Sequence, residues 1–100
     1  MKSLDLSDND ISTIAANAFQ DLISFESLKL NGNTIISLQV GLFSNNINLR
    51  KIDLSDNDIS TISANAFVDL VSLESLVLRN NDISTISANV FGDLVSLKYL

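Results

Sequence analysis

The residues of this 100-residue chain best suited to chemistry are carboxylates and amides. Asp8-x-Asp10 and Asp56-x-Asp58 alternate as calcium ligands do. A helix-flanked calcium loop starting at Asp8 would need glycine at position 13 and glutamate at position 19, where the chain has Thr13 and Phe19. These aspartates therefore read as solvated turn residues, and no metal is expected. Glu26 and Glu74 are the only glutamates and would be the acid–base pair of a hydrolase, but a repeated, open sheet offers no pocket for them. Serine is abundant, yet histidine and cysteine are absent. Without imidazole or thiolate the common nucleophile–base pairs and zinc sites cannot be assembled. No catalytic residue and no cofactor is expected, so the chain does not read as an enzyme.

Twelve acidic against six basic side chains give a net charge of −6. Such a chain repels phosphate backbones and anionic lipid, which argues against nucleic acid and membrane surfaces as partners. No stretch approaches the ~18 consecutive apolar residues of a membrane span. The opening Met1-Lys2-Ser3-Leu4-Asp5-Leu6 has no unbroken apolar run and does not read as a signal peptide. A hydrophobic content of 46% is that of a folding chain.

What would position these side chains is a repeat. LSDNDIS stands at 6–12 and again at 54–60, with LRNNDIS at 78–84 and LNGNTII at 30–36, each copy starting 24 residues after the last. The units run 3–26, 27–50, 51–74 and 75–98, and 99–100 begin a fifth, all within one array spanning 1–100. Leu4, Leu28, Ile52, Leu76 and Leu100 share one apolar slot, and Leu6, Leu30, Leu54 and Leu78 the next. Ser3-Leu4-Asp5-Leu6-Ser7 alternates as a strand with one buried face does. Asn, Asp and Gly cluster after it, where the chain must turn. Phe19, Leu22 and Phe25 then fall three apart, which predicts an irregular, 3₁₀-like or short helical return. No unit can bury its apolar residues alone, whereas stacked copies share one core.

Leu4-x-Leu6-x-x-Asn9-x-Ile11, repeated at Leu28, Ile52 and Leu76, resembles the leucine-rich repeat. The unit length and the downstream Phe19/Leu22, Phe67/Leu70 and Phe91/Leu94 pairs resemble the extracellular subclass found in Toll-like receptors and Slit-like proteins. The resemblance implies an α/β solenoid: a right-handed coil stack with short parallel strands on the concave side and irregular, 3₁₀ or short helical turns on the convex side. It also implies an extracellular or cell-surface parent protein that binds a protein ligand. The cysteine caps of such arrays are missing. An intracellular scaffold or regulatory array and a structural spacer therefore remain open alternatives.

Asn9, Asn33, Asn57 and Asn81 form the one polar slot common to all four units. A carboxamide has two donor hydrogens and an acceptor, so this slot reads as a structural ladder that satisfies buried backbone groups. Phe19, Phe43, Phe67 and Phe91, with no basic residues interleaved, read as a packed spine rather than a stacking platform. Partner contacts are expected on the strand surface, where chemistry changes from unit to unit: Asp5, Ser7, Lys29, Asn31, Asp53, Ser55, Val77 and Arg79. No polar unit closes either end. The chain thus reads as a fragment of a longer array whose uncapped edges invite end-to-end self-association.

Overall fold

The structure, a computed structural model, describes residues 2–15, 18–19, 24–38, 42–43, 48–63, 66–67, 70–86 and 98–99. Each strand is short because the apolar–polar alternation of the sequence lasts only a few residues before Asn, Asp or Gly turns the chain. β1 (Ser3–Asp5), β2 (Ser27–Lys29), β3 (Ser37–Leu38), β4 (Lys51–Asp53), β5 (Thr61–Ile62), β6 (Ser75–Val77), β7 (Thr85–Ile86) and β8 (Lys98–Tyr99) follow one another along the chain. They form two parallel sheets, one ordered β1-β2-β4-β6-β8 and the other β3-β5-β7. Among the described residues there is no helix, and the return arms run through turns.

The register repeats the sequence period. Leu4 lies opposite Leu28, Leu28 opposite Ile52, and Ile52 opposite Leu76. Hydrogen bonds from Leu6, Leu30 and Leu54 N–H to the carbonyls of Lys29, Asp53 and Val77 carry the ladder beyond the strands. The last strand departs from this. Tyr99, not Leu100, lies opposite Leu76, and Lys98 lies opposite Ser75, so the fifth coil starts one residue before the expected 99–100.

The core fills the space between the two sheets. Leu28, Leu30, Ile35, Leu38, Ile52, Leu54, Ile59, Ile62, Leu76 and Leu78 are buried, joined from the return arms by Leu49, Leu70 and Leu73. Each such side chain contributes about 1.5–3 kcal/mol of burial relative to exposure. Phe19, Phe43 and Phe67 stack in file, with ring centroids 5.7 and 6.1 Å apart and interplanar angles of 16° and 6°. Phe91 and Leu100 lie outside the described residues.

The second sheet was not foreseen from the sequence. Its signal is the β-branched Thr61-Ile62 and Thr85-Ile86, two residues after the conserved-spacing Ile59 and Ile83. Two-residue strands lie below what period-two patterning can register, and lateral stacking alone makes them a sheet.

Candidate functional site

The asparagine slot lies at the turn after each strand. Asn57 is 5% exposed; its Nδ2 donates to the carbonyls of Leu54 and Ser55 in its own coil and of Leu30 in the preceding one, each at 3.0 Å. Its Oδ1 accepts from Ile35 N at 3.1 Å. Asn33 and Asn81 do the same one coil back and one coil on, with Oδ1 of Asn33 accepting from Asn9 N and Ile11 N, and that of Asn81 from Ile59 N. Asn9 is exposed and bonds only the carbonyls of its own coil, Leu6 and Ser7. These amides serve the fold.

One residue earlier, every coil takes a left-handed backbone: Asp8 (φ 57°), Gly32 (φ 73°), Asp56 (φ 56°) and Asn80 (φ 60°). Aspartate and asparagine tolerate that region better than other side chains, which explains their recurrence here. A Cβ at Gly32 would also displace the exposed Asp8 carboxylate. In the later pair Asn80 Nδ2 donates to Asp56 Oδ1 at 2.8 Å.

The strand surface is less uniformly open than alternation predicts. Asp5, Lys29, Asp53 and Val77 stand side by side in register. Lys29 Nζ lies 4.0 Å from Asp5 Oδ2, an exposed pair that solvent screens. Ser7 donates both its hydroxyl (2.5 Å) and its N–H (2.9 Å) to Asp5 Oδ1, and Ser55 does the same to Asp53 at 2.6 and 3.0 Å. The Ser7 hydroxyl first, and then its N–H, hold the Asp5 carboxyl below its ordinary pKa. Val77, expected to face a partner, is instead only 7% exposed, and Ser55 is 2% exposed. A valine directly opposite Asp53, within a sheet flanked by strands on both sides, has no polar tip to carry into water. Arg79 is fully open.

Asn31 lies in the slot between Ser7 and Ser55, and its enclosed Oδ1 has no hydrogen-bond partner. The cause is adjacent. A serine hydroxyl has one proton, and both neighbouring serines give theirs to an aspartate.

The glutamates do have a depression. A polar groove of about 340 Å³ is lined by Glu26, Asn48, Arg50, Ser72 and Glu74, at the edge where each chain segment leads into its strand. Backbone bonds stack this row directly: Glu26 N–H donates to Lys2 O, Arg50 N–H to Glu26 O, and Glu74 N–H to Arg50 O. Arg50 sits between the two carboxylates and gives Nη2 (2.7 Å) and Nε (3.3 Å) to Glu74 Oε2. Glu74, through that hydrogen bond and its charge, raises the Arg50 pKa, and Glu26 adds to it. A guanidinium between the glutamates removes the arrangement an acid–base pair needs. The expectation of no pocket missed the groove. Its signal was the sign alternation Lys2, Glu26, Arg50, Glu74 at the repeat spacing.

Among the described residues no three His, Cys, Asp or Glu side chains gather where they could hold a metal ion, and no helix is long and apolar enough to cross a membrane. Ile36 and Val71 are exposed at 54% and 62%. Val71 belongs to a slot that is apolar in every unit (Ile23, Ile47, Val71, Val95), a period also unread in the sequence.

Stacked coils with a constant asparagine ladder and a variable strand surface define a solenoid scaffold. Family models described as leucine-rich repeat match residues 23–83 and 47–100, and another matches residues 1–19. The chain belongs to the leucine-rich repeat family. No curated protein matches it. Among solved structures it is similar to the TLR13–ssRNA13 complex, at 32% identity and a TM-score of 0.92, covering 98% of this chain and 14% of that one. It is also similar to the Toll–Spatzle complex of Drosophila, at 30% identity and a TM-score of 0.90, covering 99% of this chain and 15% of that one. The leucine-rich repeat domain of APL1B matches at 26% identity with a TM-score of 0.93, covering 99% of this chain and 29% of that one. The chain therefore spans between 14% and 29% of the length of these neighbours. The first of them is a complex with RNA, so the exclusion of nucleic acid drawn from net charge has no support from the comparisons.

Proposed function

We infer that the chain is a protein–protein interaction segment of an extracellular or cell-surface recognition protein, and that its ligand docks on the concave face of the five-stranded sheet. One observation carries the reading. The residues that hold the coils together repeat in every unit, while exposed and half-exposed residues in and just after the strands change from Asp5 to Lys29 and from Ser7 to Arg79. A rigid parallel register displays that varied set at fixed spacing. Similarity to Toll bound to Spatzle supports a protein as ligand. The reading assigns no enzymatic activity, since Arg50 separates the two glutamates.

The test is a screen of the chain against an array of secreted and cell-surface proteins, followed by alanine substitution. Arg79, whose guanidinium can bond a partner carboxylate in two places, should cost about 1.5–3 kcal/mol of affinity when changed to alanine. Lys29→Ala and Asp53→Ala should cost less. Ser24→Ala and Val71→Ala on the return arm should leave binding unchanged. Loss of binding through the return arm with Arg79→Ala silent would place the interface on the other side.

A further inference from the structure

The groove lined by Glu26, Asn48, Arg50, Ser72 and Glu74 lies outside the apolar core. Its side chains are polar throughout, and its volume of about 340 Å³ is at the small end of the range for ligand sites. Two carboxylates against one guanidinium leave it with a formal charge of −1.

The hydrogen bonding is lopsided. Arg50 directs both donations to a single oxygen, Glu74 Oε2. Glu74 Oε1 receives none of the described hydrogen bonds. The Glu26 carboxylate has no hydrogen-bond or ion-pair partner among the described residues. Lys2, next in the row, makes no ion pair with it. Lys98, which the repeat would place beside Glu74, pairs through its backbone with Ser75 instead. The groove thus offers acceptors on both sides of a cation that is already engaged. An anion entering it would have to displace Glu74 from Arg50 and then face Glu26. A cation meets no such cost.

We propose that this groove is a subsite for a cationic side chain, an arginine or lysine of a polypeptide partner, held by Glu26 and the free oxygen of Glu74. The incoming guanidinium or ammonium donates to the carboxylates, while Arg50, bonded to Glu74 Oε2, opposes it by its like charge. Charge-assisted bonds of this kind are about twice as strong as neutral ones. The proposal goes beyond the concave-face reading and rests on it only for the source of the side chain.

The experiment needs no partner protein. The ¹⁵N-labelled chain is titrated with N-acetylarginine amide, N-acetyllysine amide and N-acetylglutamate amide while backbone amide resonances are followed. The two cations should shift the Glu26, Arg50 and Glu74 resonances saturably, the stronger of them identifying which side chain the groove prefers, and the glutamate derivative should not. Glu26→Gln should weaken cation binding by about tenfold with the resonances of the core unmoved. Arg50→Gln, which removes the internal cation, should tighten it severalfold. Equal shifts with the glutamate derivative, binding unaffected by Glu26→Gln, or binding abolished by Arg50→Gln would each overturn the proposal. None of these results bears on whether Arg79 contacts a ligand, so the two readings fail separately.

Discussion

Asn57→Leu isolates what the ladder does. The substitution is nearly isosteric and adds apolar surface at a site only 5% exposed, so burial alone would make it stabilising. The backbone groups it serves decide otherwise. Leu30 O keeps a bond from Asn33 Nδ2, Leu54 O keeps one from Asn81 Nδ2, and Ser55 O keeps one from Gly32 N–H. Ile35 N–H has no second acceptor; Asn57 Oδ1 is its partner. One buried N–H is orphaned, at about 1–3 kcal/mol, and three carbonyls each lose one of two donors, adding roughly 1 kcal/mol in all. The net expectation, after subtracting about 1.5 kcal/mol for apolar burial, is a loss of about 0.5–2.5 kcal/mol in urea unfolding followed by circular dichroism.

Two controls sharpen that expectation. Asn57→Asp retains the acceptor for Ile35 but places a carboxylate against three carbonyl oxygens, so it should be worse than leucine at neutral pH and recover as acid protonates it. Asn9→Ala should cost less than about 1 kcal/mol, because Asn9 is exposed and Leu6 O keeps its bond from Asn33. An Asn57→Leu chain within ~0.5 kcal/mol of the parent would refute the reasoning, since no orphaned N–H could then be charged to the substitution.

Gly32→Ala should destabilise by about 1–3 kcal/mol, from the left-handed φ and from collision with Asp8. Adding Asp8→Gly should recover only the collision, as a double-mutant cycle would show. Ser7→Ala should raise the Asp5 pKa part of the way toward its ordinary value in an NMR titration, because it removes the hydroxyl bond, the largest cause of the depression, and keeps the backbone N–H bond. A depressed carboxylate contributes stability above its unfolded pKa and loses it as pH falls through the folded value, so this acid-sensitive contribution should shrink in the variant. An unmoved Asp5 titration would show that the Ser7 N–H, with Lys29, holds it instead.

The sequence by itself determined the coil. Leucines at one spacing, asparagines at one position and phenylalanines in one column recur every 24 residues, and a period that long has no meaning except stacking. It also marked the turn, because Asp8, Gly32, Asp56 and Asn80 are the residue types that accept a left-handed backbone. Tertiary structure alone decided what depends on the neighbouring coil. Val77 alternates as a solvent-facing residue yet is closed off, because exposure in a sheet is set by adjacent strands as well as by the pleat. The β3-β5-β7 sheet exists only through lateral pairing of two-residue segments. The place of Lys98 opposite Ser75 is likewise visible only in the pairing of β6 with β8. The groove around Arg50 is made of residues from separate coils, each an ordinary surface charge in its own unit. A repeat states what every coil has in common; contacts between unlike residues of adjacent coils arise only once they are stacked.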